Sequence, residues 1–364
     1  MNARAQRLRS IGQSLWLDTI DRGFLERGEL ARRVEEEGIS GVTTNPTIFE
    51  KAVRTSSAYD ATIASLARQG LASPAIAERL MIEDVARAAD ALRPVFDASG
   101  GRDGFVSLEV RPSLARDAEG TFAEATRLFA LLRRPNAMIK IPGTRVGWEA
   151  IRRSIAEGVN VNATLLFSRR HHEGVAKAYV EGLAERVRRG RDLRGIASVA
   201  SVFVSRIDTA VDAALSDPAL QGRAAVANAK AIYRAFRAFF AGEAFGVLAA
   251  RGAAVQRVLW GSTGTKNPRY PDTKYVDELV GPDTVNTVPL PTLEAFLDHG
   301  SAESVLEKGL DEAHALLDRI AACGVDLDAV CERLQDEGVE AFARSYDSLL
   351  AAVEERRGAL SSRA

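Results

Sequence analysis

Along the chain, short apolar segments rich in β-branched residues alternate with longer stretches whose apolar residues recur every three or four positions. The short segments are LWLDTI (15–20), GVTTN (41–45), FVSLEV (105–110) and AMIKIP (137–142). They continue with VNVNATLLF (159–167), SVFVSRID (201–208), QRVLWGS (256–262) and DTVNTVPL (283–290). Stretches between them, such as GTFAEATRLFALLRR and SRRHHEGVAKAYVEGLAERVRR, carry helical spacing. Strands alternating with helices predict a parallel sheet with crossover connections. Eight is the number that closes a (β/α)8 TIM barrel; a doubly wound sheet is the alternative. No GxGxxG follows the first strand, which weakens the dinucleotide-binding version of that alternative. No internal repeat or low-complexity linker interrupts the pattern. The expectation is therefore a single α/β barrel domain over 1–364, with its core at 14–290. Residues 292–355 read as helices beyond what one barrel needs, a C-terminal helical segment packed on it.

The polar residues inside those strands do not fit a plain core. Side chains alternate along a strand, and barrel active sites gather at the strands' C-terminal ends. Lys140 shares a face with Met138, Glu109 with Ser107, and Thr164 with Asn162 and Asn160. Asp18 ends the first strand and Asn45 the second. Five successive strands thus each place a polar group near the same end. Any one alone is more often a satisfied structural hydrogen bonder, whereas a shared polar cavity accounts for all five. Lys140 is the sharpest signal, because an unpaired buried charge is costly and tends to neutralise. The chain has seven lysines against 41 arginines, so lysine is not its default cation. Lysine can lose its proton when desolvated and attack a carbonyl; arginine cannot. A structural pairing of Lys140 with Glu109 or Asp18 fits the residues equally well.

Composition narrows the partners. With 46% hydrophobic and 27% charged residues the chain reads as a soluble globular protein. A formal net charge of −1 gives no general attraction to nucleic acid or to a membrane surface. No apolar run reaches the ~20 residues needed to span a bilayer. The basic start, MNARAQRLRSIGQSLW, runs directly into a strand and is read as an ordered leading helix rather than a transit peptide. Cys323 and Cys331 form neither a CxxC motif nor a disulfide framework, and their scarcity suits a reducing cytoplasm. The adjacent histidines of HHE (171–173) face different ways and make no zinc pair.

Five motifs together resemble the transaldolase family, in order and spacing: TTNPT (43–47), SLEV (107–110), IKIPGT (139–144), NATLLFS (162–168) and SVFVSRID (201–208). The stretch WGSTGTKNP and the chain length resemble its longer bacterial branch. The resemblance implies a (β/α)8 barrel that transfers a dihydroxyacetone unit between sugar phosphates through a Schiff base, with no metal or organic cofactor. By motif it implies Lys140 as the Schiff-base lysine and Asp18 as the acid/base for carbon–carbon cleavage. Glu109 and Thr164 would hold a catalytic water. Asn45 and Asn162 would bind hydroxyls, with Ser201 beside them and Phe203 as an apolar wall. Arg206 would grip phosphate, the alternative being a surface salt bridge with Asp208 or Asp212. Many family members have an arginine after the seventh strand; this chain has GSTGTKNP, so Ser262 and Lys266 are assigned to phosphate there. The expected partners are sugar phosphates, in a cytoplasmic monomer or homodimer.

Overall fold

The computed structural model describes residues 1–361. Eight strands, β1 (Gln13–Leu17), β2 (Gly41–Val42), β3 (Phe105–Glu109), β4 (Ala137–Pro142), β5 (Val161–Leu166), β6 (Ser198–Phe203), β7 (Arg257–Gly261) and β8 (Thr284–Val288), close into a barrel in chain order. Each is parallel to both neighbours. Helices fill the connections, as crossovers between parallel strands require. The fold is a (β/α)8 barrel.

All eight expected strands are present, but their bounds move. β6 differs most: SVFVSRID straddles an element boundary, and Ser205–Asp212 is a helix. Its buried Ile207, Asp208 and Val211 recur at helical spacing, while Ser198–Ala200, upstream of the expected start, pair with β5. β2 has only two ladder residues, although the Thr43 amide still donates to the Leu17 carbonyl. The leading helix is present as Ala3–Ile11, capped by the Asn2 side chain, which accepts from the Arg4 amide.

The barrel interior is layered. Trp16, Phe105, Met138, Val199, Leu259 and Val285, from six strands, form an apolar plug. Gly41 supplies the clearance for it, since a Cβ there would lie 2.4 Å from the Trp16 ring. Two residues further along the same inward faces come Thr43, Ser107, Lys140, Ser201 and Thr287, all buried. The polar layer that holds Lys140 therefore lies at the C-terminal end of the barrel, above this apolar plug; on the plug's other side Arg257 donates to Ser14 at 2.7 Å.

The C-terminal segment forms helices Leu290–His299 and Leu310–Ala322 and a 35-residue helix, Leu327–Ser361. At about 1.5 Å per residue, the last is long enough to cross the barrel. Near its start Gln335 donates to the Leu165 carbonyl at the end of β5 at 2.9 Å, and buried Cys331 contacts the Phe167 carbonyl just beyond it at 3.3 Å. Towards its end Arg356 pairs with Asp60 at 2.6 Å, and Glu355 pairs with Arg54 at 2.7 Å in the helix Pro46–Thr55 that follows β2. The helix thus bridges opposite sides of the C-terminal mouth. Cys323, at the end of the preceding helix, is exposed and free.

His172 makes the fold acid-sensitive. It is fully buried in the helix Arg169–Arg188, edge-on to Phe236, and neither ring nitrogen has a hydrogen-bond partner. Burial pushes its pKa down to about 4. An unfolded chain titrates this group near its ordinary pKa of about 6.5 and so binds a proton that the folded protein refuses. The associated stability is present above pH ~6.5 and lost as pH falls towards 4, on the order of 3 kcal/mol in all. Urea midpoints of wild type should fall across that window, and His172→Leu should fall distinctly less; parallel declines would remove His172 as the cause.

Candidate active site

Parallel register brings the polar side chains together. Glu109 on β3 lies directly beside Lys140 on β4, and Lys140 beside Asn162 on β5. Lys140 Nζ is 2.7 Å from Glu109 Oε1, donates to the Thr44 carbonyl at 3.0 Å, and sits 5.5 Å from the Phe342 ring centre. Both side chains of the pair are over 90% buried. Burial pushes the Glu109 carboxyl above its usual range, against the opposing pull of Lys140. A carboxylate destabilised in this way is a ready acceptor for the ammonium proton. The pairing considered for Lys140 is therefore real, and it sits beside a cavity rather than sealed in the core.

That cavity, about 630 Å³, opens at the C-terminal mouth. Lys140, Asp18, Asn45, Ser201, Phe203, Arg206, Ser262 and Lys266 all line it. Glu109 and Thr164 line a smaller adjoining pocket, also reached by Lys140. Glu109 Oε2 and Thr164 Oγ1 are buried there without a hydrogen-bond partner. The rest of that pocket, Lys140 apart, is apolar, so the two unmatched oxygens are the groups that would hold one bound water there. Asn162 borders neither cavity: its Nδ2 donates to Ser107 Oγ at 3.0 Å and its Oδ1 accepts from Ser201 Oγ at 2.6 Å. It holds Ser201 in place from below.

Local conformation aims several of these groups. Asn45 caps the helix Pro46–Thr55 with its side-chain oxygen, which accepts from the Ile48 amide, leaving its NH2 as the donor for the cavity. β5 carries a bulge after Ala163, and Leu165 sits at φ 61°, a strained value for a non-glycine residue. Such bulges re-aim side chains, here Thr164. Ser262, just past β7, is also left-handed at φ 54°, with its hydroxyl 3.0 Å from that of Ser205.

Arg206 lies on the helix after β6, with its guanidinium carbon 5.3 Å from the Phe203 ring centre. Neither carboxylate suggested as its partner is free for it. Asp208 accepts from Tyr275 and the Ala225 amide, and Asp212 from Tyr270 and the Gly222 amide. Among the described residues Arg206 has no ion-pair partner within 4 Å. Together with Lys266 it makes the neighbouring part of the cavity wall cationic.

Three contributors carry no clear sequence signal. Thr43 donates to Asp18 Oδ1 at 2.8 Å, so the 2.7 Å contact between Thr43 and Thr287 runs with Thr287 as donor. Phe342 enters the cavity wall from the C-terminal helix, 6.5 Å from Phe203. Thr43 lies within TTNPT and could have been assigned by parity with Asn45; Thr287 and Phe342 belong to no motif.

Residues 15–353 match the family model described as transaldolase/fructose-6-phosphate aldolase. The chain belongs to that family. A protein named transaldolase from Thiobacillus denitrificans is 49% identical over 349 residues, covering 94% of this chain and 97% of its own. The transaldolase of Thermobifida fusca is 46% identical over 357 residues, covering 96% and 97%, and that of Neisseria gonorrhoeae 45% over 344 residues, covering 94% and 97%. The match takes in the whole barrel and most of the last helix.

Gln335 holds the strained bulge, donating to Leu165 at 2.9 Å and to Gly143 at 3.3 Å. Gln335→Ala should take its side-chain donor from the buried Leu165 carbonyl, while Gly143 keeps Trp148 Nε1 at 3.0 Å, and cost about 1–3 kcal/mol, read as a lower urea midpoint. An unchanged midpoint would show that the bulge does not depend on this contact.

Proposed function

We propose that this protein is a transaldolase, which moves a dihydroxyacetone unit from fructose 6-phosphate or sedoheptulose 7-phosphate to erythrose 4-phosphate or glyceraldehyde 3-phosphate. The observation that carries the reading is a buried lysine whose amine borders a large polar cavity and whose partner carboxyl is biased by burial towards taking its proton. Membership of a family of enzymes, and relatives named transaldolase over nearly the full chain, support it.

The steps follow from what each residue can exchange. Lys140 gives its proton to Glu109, and its lone pair attacks the ketone C2 of the donor sugar. The carbinolamine loses its hydroxyl as water, with Glu109 returning a proton, and the C=N bond forms as an iminium. The water rests between Glu109 and Thr164. Asp18 then takes the proton of the C4 hydroxyl, the C3–C4 pair flows into the iminium, and an aldehyde departs, leaving a neutral enamine on Lys140. The acceptor aldehyde enters, the enamine carbon attacks it, and Asp18 returns the proton. Hydrolysis by the reverse of the first steps frees the product. General acid–base groups of this kind accelerate such transfers by about 100- to 10,000-fold. Asn45 holds one hydroxyl of the three-carbon fragment by a neutral donor, and Ser201, whose own proton goes to Asn162, accepts from another; neither offers the enamine a strong acid, and Asn162 acts through Ser201.

Every donor in this scheme carries a phosphate at the end remote from the ketone. Arg206 grips it with a planar fork, and Ser262 and Lys266 complete the grip, the lysine as a point charge. The chemistry needs no metal or organic cofactor. We place the enzyme in the cytoplasm, as a monomer or homodimer in which the barrel and its crossing helix act as one unit. Among the described residues no helix is long and apolar enough to cross a membrane.

A coupled assay with fructose 6-phosphate and erythrose 4-phosphate should give sedoheptulose 7-phosphate and glyceraldehyde 3-phosphate together. Free dihydroxyacetone in place of the seven-carbon product would assign a simple aldolase of the same family. Arg206→Ala should raise KM for fructose 6-phosphate roughly 10- to 100-fold, the loss of a charge-assisted hydrogen bond, with little effect on the use of free dihydroxyacetone as donor. Equal effects on both would place Arg206 outside the phosphate site.

A further inference from the structure

Transfer and hydrolysis compete for the same enamine. If its carbon is protonated before an aldehyde arrives, the iminium re-forms, water adds at C2, the C–N bond breaks, and dihydroxyacetone is lost with the lysine regenerated. A transferase therefore has to keep water and protons away from the waiting intermediate while holding one water for the first and last steps. The two cavities match that division. The large one opens to solvent at the mouth; the small one holds the unmatched oxygens of Glu109 and Thr164.

Lys140 and Phe342 are the two residues that line both cavities. Lys140 is the amine. Phe342 is an apolar ring whose centre lies 5.5 Å from Nζ, braced against Phe203 at 6.5 Å. It comes from the helix Leu327–Ser361, not from a strand, and that helix is tied down on both sides of the mouth by Gln335 and Arg356. A ring on a fixed helix, beside the nitrogen and between two compartments, is a partition. Its face also stabilises positive charge within about 6 Å, so it favours the iminium over the free amine.

We propose that Phe342 is the residue that separates the water pocket from the sugar cavity and so sets the ratio of transfer to hydrolysis at Lys140. It does so by position: it exchanges no proton and binds no hydroxyl. This rests on the Schiff-base reading above. Removing the ring joins the two compartments, gives the pocket's water and the Glu109 proton a path to the enamine carbon, and weakens the iminium. Dihydroxyacetone release should rise relative to transfer, and the lowered retention should show even at saturating donor.

The test measures both products from fructose 6-phosphate, with and without erythrose 4-phosphate, in wild type, Phe342→Ala and Phe342→Leu. Leucine keeps the helix packed if alanine unfolds the chain, and circular dichroism checks each. The ratio of dihydroxyacetone to sedoheptulose 7-phosphate should rise about tenfold in Phe342→Ala, the factor given by roughly 1.4 kcal/mol, and by less in Phe342→Leu. A folded variant with slower turnover but an unchanged ratio would overturn the proposal, because a merely structural role lowers both products together. Wild type that makes no transfer product would instead sink the transaldolase reading itself, and the two failures are separate.

Discussion

Two ionisable side chains placed in register on adjacent parallel strands, Glu109 and Lys140, set the terms for the rest of the barrel's C-terminal end. Desolvating an ion pair costs several kcal/mol per charge, and the attraction between partners only partly offsets it. Such a pair is poor evidence for stability. Its position makes sense as a store of reactivity: burial pushes the Glu109 carboxyl up, which biases it towards taking a proton from its neighbour. The surrounding layers keep the arrangement dry below and open above. The apolar plug led by Trp16 closes the floor, and the hydroxyls of Thr43, Ser107, Ser201 and Thr287 form the layer at the lysine's level.

Two of the four non-glycine residues with a left-handed backbone among the described residues, Leu165 and Ser262, lie at this end of the barrel. The bulge that aims Thr164 leaves Leu165 in a left-handed conformation, and its carbonyl is satisfied not by the sheet but by Gln335 from the far end of the chain. Ser262 holds another such conformation in the wall of the large cavity. Both sit where a rigid scaffold over-determines the backbone, the condition under which strain persists. The C-terminal helix is thus more than a brace. It supplies Gln335 to one side of the mouth and Phe342 to the wall itself.

The barrel was legible because all-parallel strands must be joined by crossovers, and apolar runs alternating with helical spacing leave few other architectures. Period-two parity also put Lys140, Glu109 and Thr164 with other polar residues on one face of their strands, whereas Ser201 was implied only by the family resemblance. Parity failed at β6, where the run SVFVSRID hides a strand-to-helix change: Arg206 reaches the cavity from a helix, not from a strand end. It also could not tell that Asn162 is occupied by Ser107 and Ser201, because hydrogen-bond saturation depends on neighbours one and two strands away. Phe342 was out of reach for a different reason. Its role arises from a helix crossing the mouth, some 200 residues after Lys140, and helical spacing says nothing about what a helix faces across the fold.

The central claim is covalent: the amine of Lys140 joins the ketone carbon of the donor sugar. Reduction with borohydride in the presence of fructose 6-phosphate, followed by peptide mapping, addresses it directly. The account predicts one stable three-carbon adduct on the peptide that contains Lys140, with loss of activity in proportion to labelling. An adduct on Lys51 or Lys266, or none at all in enzyme that turns over, would contradict it.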